Sequence, residues 1–398
     1  MIEVIILLIL LLMILVLFIT ELIMGIRCFV RKGDETIVHK RLKQLKRNSF
    51  LLIGLIALTG GCMLLSQITA HTPRIKDKNG KPLEGSISQL QKVNLNGRKE
   101  WISIRGENQQ NPVLLFLAGG PGGTQMAAVR HDLAELEKYF VVVVWDQPGS
   151  GKSYRAMKGK LTVDTYIEDG LALTEYLRER FHQEKIYLVG ESWGSALGIF
   201  LADKSPSSYH AVIGTGQMVD FLTTEQIDYD KALEFALQKG DSKKVEKLKA
   251  NGRPPYYGKD VTWKSAEYLN YLSEHMSRNP EIHNNGYNTF RDIFSSEYGI
   301  MDKINYIRGI VNTFNRVYPQ LYEIDLRVDY AKLEVPAYFF LGRHDINAPT
   351  SLVEDYVTVL EAPVKEIIWF EHSGHSPWIN ESKKFINELL AIQEKLQR

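Results

Sequence analysis

Cysteine is scarce in this chain. Its 398 residues hold two, Cys28 and Cys62, both in or beside apolar N-terminal runs. The remainder therefore offers neither a disulfide framework nor a cysteine metal site. An excess of charge of one sign is also missing: 48 Lys and Arg stand against 47 Asp and Glu, a formal net charge of +1. With no basic stripe interleaved with aromatics, nucleic acid is not an expected partner. There is no internal repeat and no low-complexity tract, which sets aside solenoids and disordered tails. The length allows a large buried core.

What the N-terminus does have is long apolar runs. Val4 to Thr20 is almost wholly Ile, Leu, Val, Met and Phe between Glu3 and Glu21, and Phe50 to Ile68 is broken only by small or weakly polar residues. Each is long enough for a bilayer-spanning helix, which sets spans over 1–30 and 49–69. Between them lies a basic loop, 31–48. Arg27, Arg31, Lys32, Lys40, Arg41, Lys43, Lys46 and Arg47 in and beside it outweigh Asp34 and Glu35. The positive-inside rule puts that loop in the cytoplasm and everything after the second span outside it. A cleaved signal peptide fits poorly, because Glu3 stands where a basic segment belongs. A lipoprotein signal processed at Leu58-Thr59-Gly60-Gly61-Cys62 stays open. Each of these readings attaches the chain to a membrane. Residues 70–90, with Pro73, Gly80, Pro82 and Gly85, read as a stalk.

From there the pattern becomes strand and helix in turn. Asn96-Gly97 between two alternating runs predicts a hairpin. Alternating elements over 112–214 predict a mostly parallel sheet. Within it, Lys185 to Val189 is a short apolar strand, Ser195 to Ala202 reads as helix, and Gly190-Glu191-Ser192-Trp193-Gly194 joins them. A serine between two glycines at a strand-to-helix turn is a nucleophile elbow, sharp enough to lift the Ser192 hydroxyl clear of the sheet. The plainer alternative is a glycine-rich turn with a capping serine.

A serine hydroxyl needs a base to take its proton and an acid to orient that base. In an elbow fold they follow in the order serine, acid, histidine. Asp345 lies just past the strand-like Ala337 to Leu341, and His375 lies in the loop after Glu366 to Phe370. They are assigned as acid and base, over His344 and His372. The second need is a pair of N–H donors for the oxyanion. Trp193, following the nucleophile, supplies one. Gly120 supplies the other, with Gly119 as its possible replacement, from the loop Ala118-Gly119-Gly120-Pro121-Gly122-Gly123 that follows the strand Val113 to Leu117. Gly151-Lys152-Ser153 hints at a phosphate-binding loop. However, Asp146 occupies the position of the required first glycine, and Pro148 removes a backbone donor.

Four segments then combine: Gly119-Gly120-Pro121-Gly122, Trp145-Asp146-Gln147-Pro148-Gly149-Ser150-Gly151, Gly190-Glu191-Ser192-Trp193-Gly194-Ser195 and Gly374-His375. With them the chain resembles the prolyl aminopeptidase (proline iminopeptidase) branch of the α/β-hydrolases over most of 85–398. The resemblance implies an α/β-hydrolase fold and a serine peptidase that removes an N-terminal residue, often proline, from short peptides, without cofactor or metal. Two departures bear on specificity. Ala118 stands where the family usually has His, and the family's Trp-x-x-Trp-Glu context for binding the substrate amine is missing, with Trp263-Lys264-Ser265-Ala266-Glu267 a loose echo.

The expected organisation is a hydrolase core over 91–216 and 331–398, split by a helical cap over 217–330. Glu225, Asp228, Glu267 and Glu274 are the cap's candidates for holding a substrate ammonium, and its many tyrosines are expected mainly in helix packing. Three functions follow. The first is a membrane-anchored aminopeptidase acting on short peptides. The second is an esterase or lipase on the same triad, acting on a small ester or amide. The third is a non-catalytic binding module on the same fold.

Overall fold

Runs of β-branched and aromatic residues without charge form strands only where both faces are covered, and helices that are apolar all round need a non-aqueous surrounding. Both kinds of segment are present, in separate units. The computed structural model describes residues 2–30, 35–284 and 286–397. It divides into an N-terminal unit, ending at Ala70 and taking in Tyr298–Ile304, and a unit of His71–Glu297 with Asn305–Arg398.

The first unit is built on two antiparallel helices, α1 (Ile2–Val30) and α2 (Glu35–Thr69). Ser66 Oγ donates to Glu3 at 2.5 Å and Ser49 Oγ to Glu21 at 3.0 Å, which sets their direction. Thr20 and Thr59 turn their hydroxyls back onto carbonyls four residues earlier, so these polar groups are satisfied inside the helices. Leucines and isoleucines face outward all round, and both helices are long and apolar enough to cross a membrane. The basic segment is not a loop where it is described. Helix α2 starts at Glu35, because 35–53 contains no glycine or proline and is rich in good helix formers. Of the expected loop, residues 31–34 lie outside the described residues.

The second unit is an eight-stranded sheet in the order β1-β2-β4-β3-β5-β6-β7-β8. Strands β1 (Ile87–Leu95) and β2 (Arg98–Gly106) form the hairpin, with Asn96 and Gly97 both at positive φ in its two-residue turn. β2 lies antiparallel to β4 (Val141–Asp146). The others run parallel: β3 (Val113–Leu117), β5 (Ile186–Glu191), β6 (Tyr209–Thr215), β7 (Ala337–Gly342) and β8 (Lys365–Phe370). Every residue of β3, β4, β5 and β7 is buried, which is why those segments read as unbroken apolar runs.

The expected stalk is corrected at both ends. β1 begins at Ile87, inside 70–90, and the residues before it are packed down. Thr72 and Ile75 are buried, and Arg105 Nη1 donates to Thr72 Oγ1 at 2.7 Å and to the Pro73 carbonyl at 2.5 Å.

Helices α3 (Met126–Asp132), α4 (Val163–Phe181) and α5 (Trp193–Lys204) alternate with the strands. Between β6 and β7 the chain turns helical: α6 (Phe221–Gln238), α7 (Ser242–Asn251), α8 (Val261–Ser277), α9 (Thr289–Ile293), α10 (Ile300–Val317) and α11 (Leu326–Asp329). This insertion has a small core of its own around Tyr229, Leu248, Tyr256, Tyr268 and Leu272. Helix α12 (Thr350–Val359) follows β7, and α13 (Pro377–Asn380) and α14 (Ser382–Gln397) follow β8. The parallel strands all point the same way, so the loops after β3, β5, β7 and β8 meet at one edge, where ligands of open α/β sheets sit.

Candidate active site

The elbow is as tight as its glycines suggest. Ser192, directly after β5, has φ 53° and ψ −123°, and its N–H donates to the Thr215 carbonyl at 3.0 Å. Helix α5 starts at once, with Ser195 N–H donating to the Ser192 carbonyl at 2.8 Å. A Cβ on Gly194 would lie 2.8 Å from the Ala118 carbonyl oxygen, and one on Gly190 would lie 2.8 Å from Ser195 Cα. Only hydrogen fits at either position. A non-glycine residue held at positive φ costs about 1–3 kcal/mol, and such strain persists where surrounding packing enforces it.

Asp345 sits three residues past β7, its side chain 2% exposed. One oxygen accepts the Asn347 and Ala348 N–H groups at 2.9 and 3.0 Å. The carboxylate faces His375 Nδ1 at 3.0 Å, which leaves Nε2 as the nitrogen available to a serine. Burial opposes a charge on His375. The Asp345 carboxylate, with Glu191 adding to it, overcomes that opposition and holds the imidazole at about 9. The ring and Ser192 flank one turn. A Cβ on Gly216 would lie 2.7 Å from His375 Cε1, and Gly216 follows Thr215, whose carbonyl holds the Ser192 amide.

The glycine loop after β3 closes on the same spot. A Cβ on Gly119 would lie 3.3 Å from Ser192 Cβ, while Gly120 (φ 127°) folds back towards the amides of Gly122 and Gly123. Trp193, the first residue of α5, is fully buried. Its indole N–H donates to Gln147 Oε1 at 2.9 Å, and Gln147 Nε2 donates to the Ala118 carbonyl at 3.0 Å. One glutamine from the corner after β4 thus ties the glycine loop to the start of α5. In the same corner, Asp146 binds Thr124 Oγ1 and accepts the Lys152 N–H at 2.7 Å. Lys152 Nζ points to the Glu297 carbonyl at 2.9 Å, so Gly151-Lys152-Ser153 is a buried brace.

The competing histidines are engaged elsewhere. His372 stacks on His283 at 4.0 Å, and His344 Nε2 lies 3.1 Å from the Glu371 carbonyl. A cavity of about 490 Å³ opens beside His375, lined by Met276, Ile282, Asn284, Tyr287 and Gly374 among others. Among the described residues, no group of three or more His, Cys, Asp or Glu side chains is arranged to hold a metal.

The four cap acids part company. Glu267 is ion-paired to Lys244 and Lys247, and Glu274 to Arg278. Glu225 is buried and accepts from Tyr268, from Ser265 at 3.2 Å and from Tyr318 at 2.6 Å. Asp228 is fully buried, and among the described residues neither oxygen has a hydrogen-bond partner. Burial, with the charges of Glu225 and Asp345 added, pushes the Asp228 carboxyl well above the usual range. Of the four candidates, Glu225 and Asp228 are therefore the ones sealed inside the cap. A signal was there: Phe221, Glu225, Asp228 and Ala232 share one helical stripe, whose ends are apolar. Sequence reasoning also missed Glu191, Gln125, Tyr287, Ser376 and Trp378, which form one hydrogen-bonded cluster behind the serine. A glutamate closing an otherwise apolar strand was the only hint.

Residues 112–376 match the family described as alpha/beta hydrolase fold. The chain is 31% identical over 315 residues to the probable aminopeptidase YbaC of Bacillus subtilis, covering 77% of this chain and 97% of that one. It is 23% identical over 286 residues to the proline iminopeptidase of Heyndrickxia coagulans, covering 70% and 90%. Among solved structures, a bacterial membrane phospholipase A superposes with a TM-score of 0.55 at 17% identity, over 89% of this chain and 99% of that one, a likeness of fold alone. The chain belongs to the alpha/beta hydrolase fold family, as an aminopeptidase-like hydrolase related to the proline iminopeptidases.

Proposed function

We propose that this protein is a membrane-anchored serine aminopeptidase that removes N-terminal residues from short peptides outside the cytoplasm. The observation that carries the reading is the pairing of His375 Nδ1 with Asp345 at 3.0 Å, beside a serine held at φ 53°. Ser192 Oγ attacks the carbonyl carbon of the substrate's first residue as its proton passes to His375 Nε2. Asp345 holds the tautomer and balances the imidazolium. The oxyanion takes N–H bonds from Trp193 and from Gly120 or Gly119. His375 returns the proton to the leaving amine, and water, deprotonated by the same base, cleaves the acyl-enzyme.

Asp228, with Glu225 one turn away, is the site for the substrate ammonium. A buried carboxyl lacking donors is stabilised by an arriving cation more than any acid already paired on the surface. The aminopeptidase names of the relatives support this choice of substrate class. Helices α1 and α2 are the anchor. The basic residues Lys40, Arg41, Lys43, Lys46 and Arg47 early in α2 hold that end in the cytoplasm.

The test is a fluorophosphonate probe with paired substrates. Wild-type protein is expected to label and Ser192→Ala is not. Aminoacyl and prolyl p-nitroanilides are expected to turn over and their N-acetylated forms to fail. A folded wild type that never labels removes the serine chemistry. Equal turnover of acetylated substrates, or a preference for p-nitrophenyl esters, removes the aminopeptidase reading in favour of an esterase.

A further inference from the structure

Glu191 precedes the nucleophile and is 2% exposed. Burying a carboxylate is costly unless its lone pairs are filled. Here both oxygens are filled, by neutral donors from three different parts of the unit. Oε1 accepts from Ser376 Oγ at 2.5 Å and from the Trp378 indole N–H at 2.8 Å. Oε2 accepts from Gln125 Nε2 and from the Tyr287 hydroxyl. Gln125 immediately precedes α3, just after the glycine loop, Ser376 is the residue after His375, and Tyr287 comes from the cap segment between α8 and α9. Tyr287 is 37% exposed, yet its hydroxyl turns inward and its ring stands edge-on to Trp378 at 5.5 Å.

With four donors seated, Glu191 has no lone pair left for a substrate ammonium, so it is not a second amine site. An isosteric glutamine could not accept all four, since its amide nitrogen would meet two donors head-on. The demand for an anion at this position is therefore specific.

We propose that Glu191 is a positioning residue for the reaction. It fixes the His375 loop, the start of α3 and the cap segment around Tyr287 to the backbone of the nucleophile, so that base, oxyanion loop and cap are registered on Ser192 together. Its charge also bears on His375. The titratable groups concerned are Asp345 after β7, Glu191 on β5, Tyr287 of the cap segment, and Tyr306 of α10, which lies within range of Glu191.

This rests on the triad reading above, and the test keeps the two apart. Labelling rate and kcat/KM are measured from about pH 5 to 10 for wild type, Glu191→Gln, Tyr287→Phe and Ser376→Ala. Glu191→Gln is expected to lower kcat about 10- to 100-fold, with KM changed by less than about threefold, since the residue touches no substrate. Its acid limb moves to lower pH, because an anion that favours imidazolium is gone. Tyr287→Phe and Ser376→Ala each remove one donor and leave the anion less compensated. They are expected to cost a few-fold in kcat and to move the limb the other way. A purely structural role predicts lost stability with no movement of the limb. Should Glu191→Gln not fold, the two donor variants carry the test alone, and an unmoved limb in both overturns the proposal. Wild-type protein that fails to label overturns the triad reading instead.

Discussion

Buried carboxylates occur on both sides of the candidate site, and they are treated differently. On the core side, Asp345 receives two backbone N–H groups and His375, and Glu191 receives four donors. On the cap side, Glu225 receives three hydroxyls while Asp228 receives nothing among the described residues. Donors aimed at a buried carboxyl offset the cost of taking it out of water, and a carboxyl without them bears that cost in full. The core carboxyls thus have their hydrogen bonds supplied by the folded chain itself. Asp228 lacks that compensation among the described residues, and burial pushes it well above the usual range. On the proposed function, the contrast separates groups that would perform the chemistry from a group that would select what enters.

The sharpest way to break this division is on the core side. Ser192→Ala is expected to cost about 10⁶-fold in kcat and all fluorophosphonate labelling. Asp345→Asn keeps the packing but turns the imidazole to the wrong tautomer, for a loss of about 10⁴-fold. If Asp345→Asn costs less than about tenfold, the pairing with His375 is structural only.

The backbone of the elbow comes next. Gly194→Ala puts a methyl against the Leu117 and Ala118 carbonyls, which belong to β3 and the loop after it and cannot yield. Overpacking of this kind costs about 1–3 kcal/mol, read as a lower urea midpoint at unchanged m-value. Gly198→Ala, on the same helix, meets side-chain methyls rather than backbone, Val212 Cγ2 at 3.1 Å and Leu117 Cδ1 at 3.7 Å, and is expected to cost much less.

Gly194 shows what a sequence carries openly. The elbow, the glycine loop and the corner after β4 were legible because backbone crowding leaves hydrogen as the only side chain, and that requirement is written residue by residue. Asp345 and His375 were legible through strand order, since each follows an apolar strand by a few positions. The cluster on Glu191 was not, because Gln125, Tyr287 and Ser376 come from loops far apart in the chain. Loop residues carry no periodicity from which convergence can be read. The cap fold was visible only as a loss of strand pattern. The helical continuity of 35–48 was hidden because a run of basic residues satisfies a loop and a helix surface equally well.

On the cap side, Asp228→Asn keeps the shape of a carboxyl that burial pushes well above its usual range, so stability is expected to change little. For substrates with a free amino terminus, kcat/KM should fall about 10- to 100-fold, by loss of a charge-assisted contact. For p-nitrophenyl esters without an amine it should stay within about twofold. Equal losses on both substrates would make Asp228 part of the packing, and the comparison between core and cap would lose its basis.

The smallest expected effect, and the finest test of the comparison, is the pH profile. On the proposed mechanism the general base acts as neutral imidazole, so kcat/KM is expected to rise as His375 loses its proton. The carboxylates around His375 hold it above its ordinary 6.5, at about 9, against the opposing effect of burial. The acid limb should therefore lie in the alkaline range, with activity still climbing above neutrality. The same shift has a consequence for folding. A raised imidazole binds protons in the folded state that the unfolded chain has released, so its contribution is complete below about pH 6.5 and is lost as pH rises through about 9. Activity gains and stability declines over one window, for one reason. Asp345→Asn should uncouple them, drawing the acid limb down towards or below 6.5 as burial goes unopposed, and flattening the stability curve across the same window. Asp228→Asn, at a carboxyl that burial pushes well above its usual range, should move neither. If it shifts the limb as far as Asp345→Asn does, Asp228 is charged in the free enzyme, and the cap carboxylates belong with the core set after all.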